Sequence, residues 1–277
     1  MIPPIANNFV AGESIETALA HVEDLNAKGV GGILNLLGEH YSSYEDAGAD
    51  TEAYIELVEA IDDRGLDACV SVKPSQLGID ISDGLFERNF ERIVDAADSF
   101  VWLDMEDHTT TDTTLDVFEQ HSRETDGSVG VCVQANLLRT GEDLQRLAAL
   151  PGKVRLVKGA YEEPADIAFT DRSKVTQVYH DQLEYMFREF DGGIAVGSHD
   201  PELIDHAAAL HDRYDTPYEI QMLMGVRETA QFELAEESAA EVYQYIPYGS
   251  KWLSYFYRRL RERKENIGFA ARAIVGG

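Results

Sequence analysis

The chain has 277 residues, 44% of them hydrophobic, enough to bury a sizeable core in one large domain or two small ones. Its 51 acidic residues against 23 basic ones give a formal net charge of −28, so most of the surface repels phosphate, which argues against nucleic acid and anionic lipid as partners. So acidic and Lys-poor a surface suits a concentrated-salt cytoplasm, where ions screen self-repulsion over short distances.

The opening MIPPIANNFVAGES has no basic-then-apolar leader, and no apolar run reaches the roughly 18 residues that span a bilayer, so a cytoplasmic protein is expected. Cys69 and Cys132 lie inside apolar runs without CxxC partners and read as small buried hydrophobes.

In chain order, ESIETALAHVEDLNAKG reads as an extra helix, placed to plug or flank the bottom of whatever sheet follows. Eight short apolar runs then end in turn or polar residues: GGILNLLG (31–38), DACVSVKPS (67–75), SFVWLDMED (99–107), SVGVCVQAN (128–136), KVRLVKGAY (153–161), GGIAVGSH (192–199), PYEIQMLMG (217–225) and AEVYQYIPYG (240–249). Between them stand segments of helical spacing: EAYIELVEAIDDRG, GLFERNFERIVDAAD, TLDVFEQHSRE, GEDLQRLAAL, KVTQVYHDQLEYMFREF, PELIDHAAALHDRY and RETAQFELAEESA. Strict alternation of strand and helix implies a parallel sheet with right-handed crossovers. Eight such units without a linker predict an α/β fold, a (βα)8 TIM-type barrel occupying 1–277 as a single domain. An open doubly wound sheet is the other topology compatible with this order.

In such barrels the reacting groups come from the C-terminal ends of the strands. Here those ends carry Lys73, then Asp104 to His108, then Gln134 and Asn136, Arg155 and Lys158, Ser198 to Asp200, Glu219 and Gln221, and Tyr245. Any one of them could be a hydrogen-bonded core residue, but burying so many ionisable groups costs several kcal/mol each unless they pair or meet a ligand. DMEDH and His199 have metal-ligand chemistry. Alternation along a strand lets at most Asp104 and Glu106 converge, however, and nearby cations already supply counter-charge, so no metal is expected.

The run YFYRRLRERKEN (255–266) concentrates cations in an acidic chain. On a helix, Tyr255, Arg258, Arg259 and Glu262 share one arc, opposite an apolar face of Leu253, Phe256, Tyr257 and Leu260. One reading is a final barrel helix with a solvated basic face. The other places it over the mouth, where paired guanidinium forks suit bidentate capture of a carboxylate, with Lys73 as a third cation.

The pieces FVAGE, NLLGEH, SVKPSQLG, WLDMEDH, VCVQANL, RLVKGAYEEP, GSHDP, YEIQMLMGVR, YIPYG and WLSYFYRRLRERKEN, in this order and spacing, resemble the flavin-dependent proline dehydrogenases, also found as a domain of bifunctional proline-utilisation proteins. The resemblance implies a barrel holding FAD at its mouth that oxidises L-proline to Δ1-pyrroline-5-carboxylate by hydride transfer, the first step of proline catabolism. It implies that Lys73, Arg258 and Arg259 clamp the proline carboxylate, with Glu262 orienting the arginines and Leu223, Tyr245 and Tyr255 walling the ring. Asp104 matches the family's active-site aspartate, expected to balance Lys73, and Arg155 the arginine beside the flavin N5. Met105, Gln134, Lys158, Gly159, Ala160, Ser198, His199 and Gln221 resemble flavin-contacting positions.

The resemblance also implies electron transfer to a quinone-type acceptor, at most peripheral membrane contact, and transient contact with a pyrroline-5-carboxylate dehydrogenase. Ser198 stands where many members have Thr, and Glu162 where some have an aromatic residue against the adenine. Few residues precede FVAGE and no aldehyde dehydrogenase domain follows, so a stand-alone enzyme is expected. Three other functions fit parts of the pattern: a folate-reducing flavin barrel of the methylenetetrahydrofolate reductase type, a metal-dependent lyase or hydrolase, and an amino-acid sensor without catalysis.

Overall fold

The computed structural model describes residues 8–161, 163–253 and 255. Eight parallel strands close into a barrel in sequence order: β1 (Gly31–Leu36), β2 (Ala68–Val72), β3 (Val101–Leu103), β4 (Val129–Gln134), β5 (Lys153–Val157), β6 (Ile194–Gly197), β7 (Tyr218–Leu223) and β8 (Glu241–Tyr248). Closure is direct, because β1 pairs with β8 over its whole length, from Gly31 opposite Tyr243 to Leu36 opposite Tyr248. The closed-barrel expectation therefore holds over the open sheet.

The helices are α1 (Ile15–Asn26), α2 (Tyr44–Arg64), α3 (Asp83–Ala96), α4 (Thr111–Glu124), α5 (Thr140–Leu147), α6 (Arg172–Glu189), α7 (Pro201–Tyr214) and α8 (Glu228–Glu237). Their starts are locally encoded: Ser14, Ser43, Ser82, Asp171 and Asp200 each accept a hydrogen bond from a first-turn N–H, and Pro201 opens α7. The extra helix α1 packs on β1 and β8, covering the seam of the barrel rather than plugging its bottom. Its His21 bonds Gln244 of β8 at 2.7 Å.

Strands walled on one side by helices and on the other by their own interior are buried almost throughout, as in β2 and β4. One large apolar cluster lies between barrel and helices; Ile33, Cys69, Trp102 and Ala195 form a smaller one inside the barrel, with Phe100, Tyr243 and Tyr245 against it. Both cysteines are buried free thiols. Among the described residues no helix is long and apolar enough to cross a membrane.

Two expectations need correction. β3 ends at Leu103, so strict alternation does not govern DMED: Asp104 and Met105 both face the mouth, whereas Glu106 turns away to accept bonds from Ser75 N and Oγ at 2.7 and 2.8 Å. Where a final helix is expected, Leu253, assigned to its apolar face, is 53% exposed, and Tyr255, assigned to the opposite arc, is 7% exposed; Phe256, Tyr257 and Leu260 lie outside the described residues. Tyr255 instead packs with Phe9, Val10 and Leu37.

Candidate active site

The strand ends open on a cavity of about 350 Å³. Lys73 follows β2, Asp104 and Met105 follow β3, and Gln134 ends β4. Arg155 stands on β5, with Lys158, Gly159 and Ala160 just beyond it. His199 follows β6, Gln221 and Leu223 belong to β7, Tyr245 to β8, and Tyr255 closes one side; all of these line the cavity. Ser198 does not: it is 6% exposed, and its Oγ accepts from Asp200 N at 3.1 Å. Arg258, Arg259 and Glu262 lie outside the described residues.

Arg155 is the centre of the arrangement. Its guanidinium donates to Asp104 Oδ1, to Ser71 Oγ at 3.1 Å and to Gln221 Oε1 at 2.9 Å. It also lies over the rings of Trp102 and Tyr245, 4.9 and 5.6 Å from their centroids. A residue only 4% exposed thus keeps its charge by an ion pair, neutral acceptors and two aromatic faces. Asp104 is correspondingly saturated, because Oδ1 also accepts from Ser71 Oγ at 2.8 Å and Oδ2 accepts from the Tyr245 hydroxyl at 2.7 Å. Burial first, then the Asp104 charge, holds the Tyr245 phenol well above its ordinary range, so Tyr245 is the donor in that bond.

Asp104 was expected to balance Lys73, and here the structure differs. Its cationic partner is Arg155, whereas the Lys73 ammonium, 12% exposed, has Glu39 at 3.9 Å and the Gly38 carbonyl at 3.4 Å. The Lys73 carbonyl accepts from Gln76 N at 3.1 Å and Leu77 N at 3.2 Å, and Ser75, two residues on, donates twice to Glu106. Burial raises the Glu106 carboxyl above its usual range, and the two Ser75 bonds oppose that shift.

The cofactor-like positions are also oriented. Gln134 Nε2 donates to the Glu106 carbonyl at 2.8 Å, leaving its Oε1 to accept from Ala160 N at 3.3 Å. Lys158 pairs with Asp200 at 2.9 Å. His199 Nε2 accepts from Leu223 N at 2.7 Å, which makes it the unprotonated nitrogen and puts the ring proton of the neutral tautomer on Nδ1. The carboxylates of DMEDH do not gather: Asp104 goes to Arg155, Glu106 to Ser75, Asp107 to Thr109, and His108 to Glu163. Among the described residues no three His, Cys, Asp or Glu could share a metal ion.

The sequence pattern did not single out Asn35 or Ser71, and it marked Cys132 only as a small buried hydrophobe. Asn35 and Cys132 line the cavity, while Ser71 ties Asp104 to Arg155. The signal was available: Ser71 lies two residues before Lys73, and Cys132 two before Gln134, each on the same inward face.

A model of the proline dehydrogenase family matches residues 18–272. The chain belongs to the proline dehydrogenase family. It is 36% identical over 283 residues to proline dehydrogenase of Deinococcus radiodurans, covering 99% of this chain and 91% of the relative. To proline dehydrogenase 1 of Bacillus subtilis it is 34% identical over 276 residues, covering 98% and 90%. Among solved structures, proline utilization A from Bdellovibrio bacteriovorus, inactivated by N-propargylglycine, superposes with a TM-score of 0.82 at 23% identity over 92% of this chain. The same protein from Corynebacterium freiburgense gives 0.80 at 21% over 93%. This proline dehydrogenase barrel corresponds to 32% and 31% of those longer chains, and at such identities the superposition speaks for the fold alone.

Proposed function

We propose that the barrel mouth is where this proline dehydrogenase oxidises L-proline to Δ1-pyrroline-5-carboxylate, with FAD as its cofactor and residues 1–277 acting as one domain. The observation that carries the reading is the Arg155 guanidinium, buried, held by Asp104, Ser71 and Gln221, and presented to a cavity that Lys73 enters from another strand.

The residues present fit a flavin dinucleotide. A second cavity of about 520 Å³, lined by Asn136, Phe169 and Arg172, adjoins the first through Lys158, Gly159 and Ala160, giving room for a long ligand. Asn136 Oδ1 is buried with no hydrogen-bond partner among the described residues, a polar atom awaiting one at this junction. At Gly159, φ is +113°, and a Cβ would stand 2.1 Å from that same oxygen, so only glycine lets the backbone pass between the cavities.

The chemistry supplied by FAD, when bound, is uptake of two electrons together with one hydrogen from the carbon beside proline's ring nitrogen; the second hydrogen leaves the nitrogen as a proton. Lys73 anchors the substrate carboxylate, with Arg258 and Arg259 as further cations and Glu262 orienting them. Leu223, Tyr245 and Tyr255 wall the ring, fixing which carbon faces the cofactor. Asp104 is no general base, because both its oxygens are already engaged by donors; it holds Arg155 and Tyr245 in place. Arg155 stabilises negative charge arriving at the cofactor. Met105, Gln134, Lys158, Gly159, Ala160, His199 and Gln221 shape the cofactor side, with Ser198 set behind it.

Electrons pass onward to a quinone-type acceptor, and the product to a pyrroline-5-carboxylate dehydrogenase by transient contact. The protein works in the cytoplasm, peripheral to the membrane at most, its acidic surface adapted to salt. FAD-loaded protein given L-proline and a soluble quinone is expected to form pyrroline-5-carboxylate with saturation kinetics. A flavin-bearing preparation that oxidises NAD(P)H and leaves L-proline untouched would overturn the reading.

A further inference from the structure

The barrel interior holds a continuous polar column that starts far from the mouth. Lys153 on β5 pairs with Glu219 Oε2 on β7. Glu219 Oε1 accepts from Gln221 Nε2 at 2.5 Å, Gln221 Oε1 accepts from Arg155 at 2.9 Å, and Arg155 reaches Asp104. Lys153 and Glu219 line a separate cavity of about 400 Å³ at the opposite end, with Asp67, Phe100 and Tyr243, and neither lines the catalytic cavity.

We propose that Glu219, held by Lys153, is a positioning residue for the reaction: it fixes the amide of Gln221 and, through that amide, the guanidinium of Arg155. The inference rests on the functional reading given above. A carboxylate offers only acceptors and a guanidinium only donors, so an amide between them satisfies both in one orientation alone, NH2 toward Glu219 and C=O toward Arg155. The orientation is therefore dictated by chemistry. Flipping the amide would set NH2 against guanidinium and oxygen against carboxylate, two repulsive contacts in a dry interior.

The geometry is permitted by β6. Strands β5 and β7 are not neighbours, and Arg155 and Glu219 both register with Ala195 between them. Gly197, one step nearer the mouth, registers with Gln221, and a Cβ there would meet Val157 at 2.6 Å and Arg155 at 3.3 Å. Small residues on β6 thus let side chains two strands apart touch. At the foot, Lys153 lies 5.1 Å from the Phe100 ring centroid and supplies the counter-charge that a carboxylate 4% exposed requires.

The test compares wild type, E219Q, K153M and K153R as FAD-loaded enzymes, measuring FAD content, flavin midpoint potential, visible spectrum and proline kinetics. In E219Q the new amide can present a donor to Gln221 and release the flip. A fall in kcat of about ten-fold with KM within about two-fold is expected, alongside a more negative midpoint potential and a changed flavin band at unchanged FAD content. K153M is expected to shift potential and spectrum in the same direction and K153R to restore them, which keeps the test open if E219Q fails to fold. Wild-type potential and spectrum in both E219Q and K153M would overturn the proposal, as would losses that merely follow FAD content and thermal midpoint. A wild type that binds FAD but ignores L-proline would instead sink the functional reading beneath it.

Discussion

The Tyr245 hydroxyl donates to Asp104 Oδ2 at 2.7 Å, joining β8 to the end of β3 across the barrel, while the other Asp104 oxygen holds Arg155 and Ser71. Removing the hydroxyl and removing the carboxylate therefore differ in kind. Y245F deletes one bond to a charged acceptor and is expected to cost about 1.5–3 kcal/mol in stability with a moderate rise in KM. D104A strands a buried guanidinium and is expected to cost about 3–5 kcal/mol and most of the turnover. Urea denaturation beside steady-state kinetics of the two variants measures the contrast; equal losses would contradict the shared-hub geometry.

Among the described residues Lys73, which enters the cavity, has Glu39 at 3.9 Å as its paired carboxylate, an arrangement open to exchange for a substrate carboxylate. K73M is expected to raise KM for L-proline by about 100-fold, with kcat changed far less, since an anchoring charge acts mainly on binding. R258M and R259M should shift KM in the same direction. Initial-rate kinetics over a range of L-proline decide it, and an unchanged KM in K73M would remove the clamp.

Much of the fold was legible because each strand announces itself as a short apolar run closed by a turn, and all eight runs contain their strands. The boundary of α2 was not: the helix begins at Tyr44, ahead of EAYIELVEAIDDRG, through YEDAGADT, a stretch with few apolar residues to give it a face. Only the Ser43 cap marked it. At the site, the residues carrying charge were recognisable by type and place. Their pairing was not, since whether Asp104 meets Lys73 or Arg155 depends on where β3 stops and how far inward each side chain reaches. Uncharged Asn35 and Ser71, inside apolar runs, looked like ordinary strand residues.

Buried phenols give a sign for alkaline stability. Burial holds Tyr54 and Tyr245 well above the ordinary 10.0. Above that pH the unfolded chain gives up protons the folded chain keeps, so their contribution is fully present below pH 10 and falls as pH rises through and beyond it. Thermal midpoints are expected to decline from about pH 9.5 upward, and less steeply in Y245F than in wild type. A steeper decline in Y245F would reverse the assignment.

With a formal charge of −28, self-repulsion is screened only when ions are plentiful. The thermal midpoint is expected to rise steadily from about 0.05 M to about 2 M KCl. A midpoint independent of salt would remove the proposed adaptation without touching the active site.

The most direct measurement is the visible absorption of the purified, FAD-loaded protein under argon, before and after addition of L-proline. Bleaching of the flavin band in proportion to L-proline added, absent when D-proline is the sole additive and shifted to far higher concentrations in K73M, is the expected result. A flavin band that L-proline leaves unchanged, or a protein that takes up no FAD at all, would contradict proline oxidation at this barrel mouth.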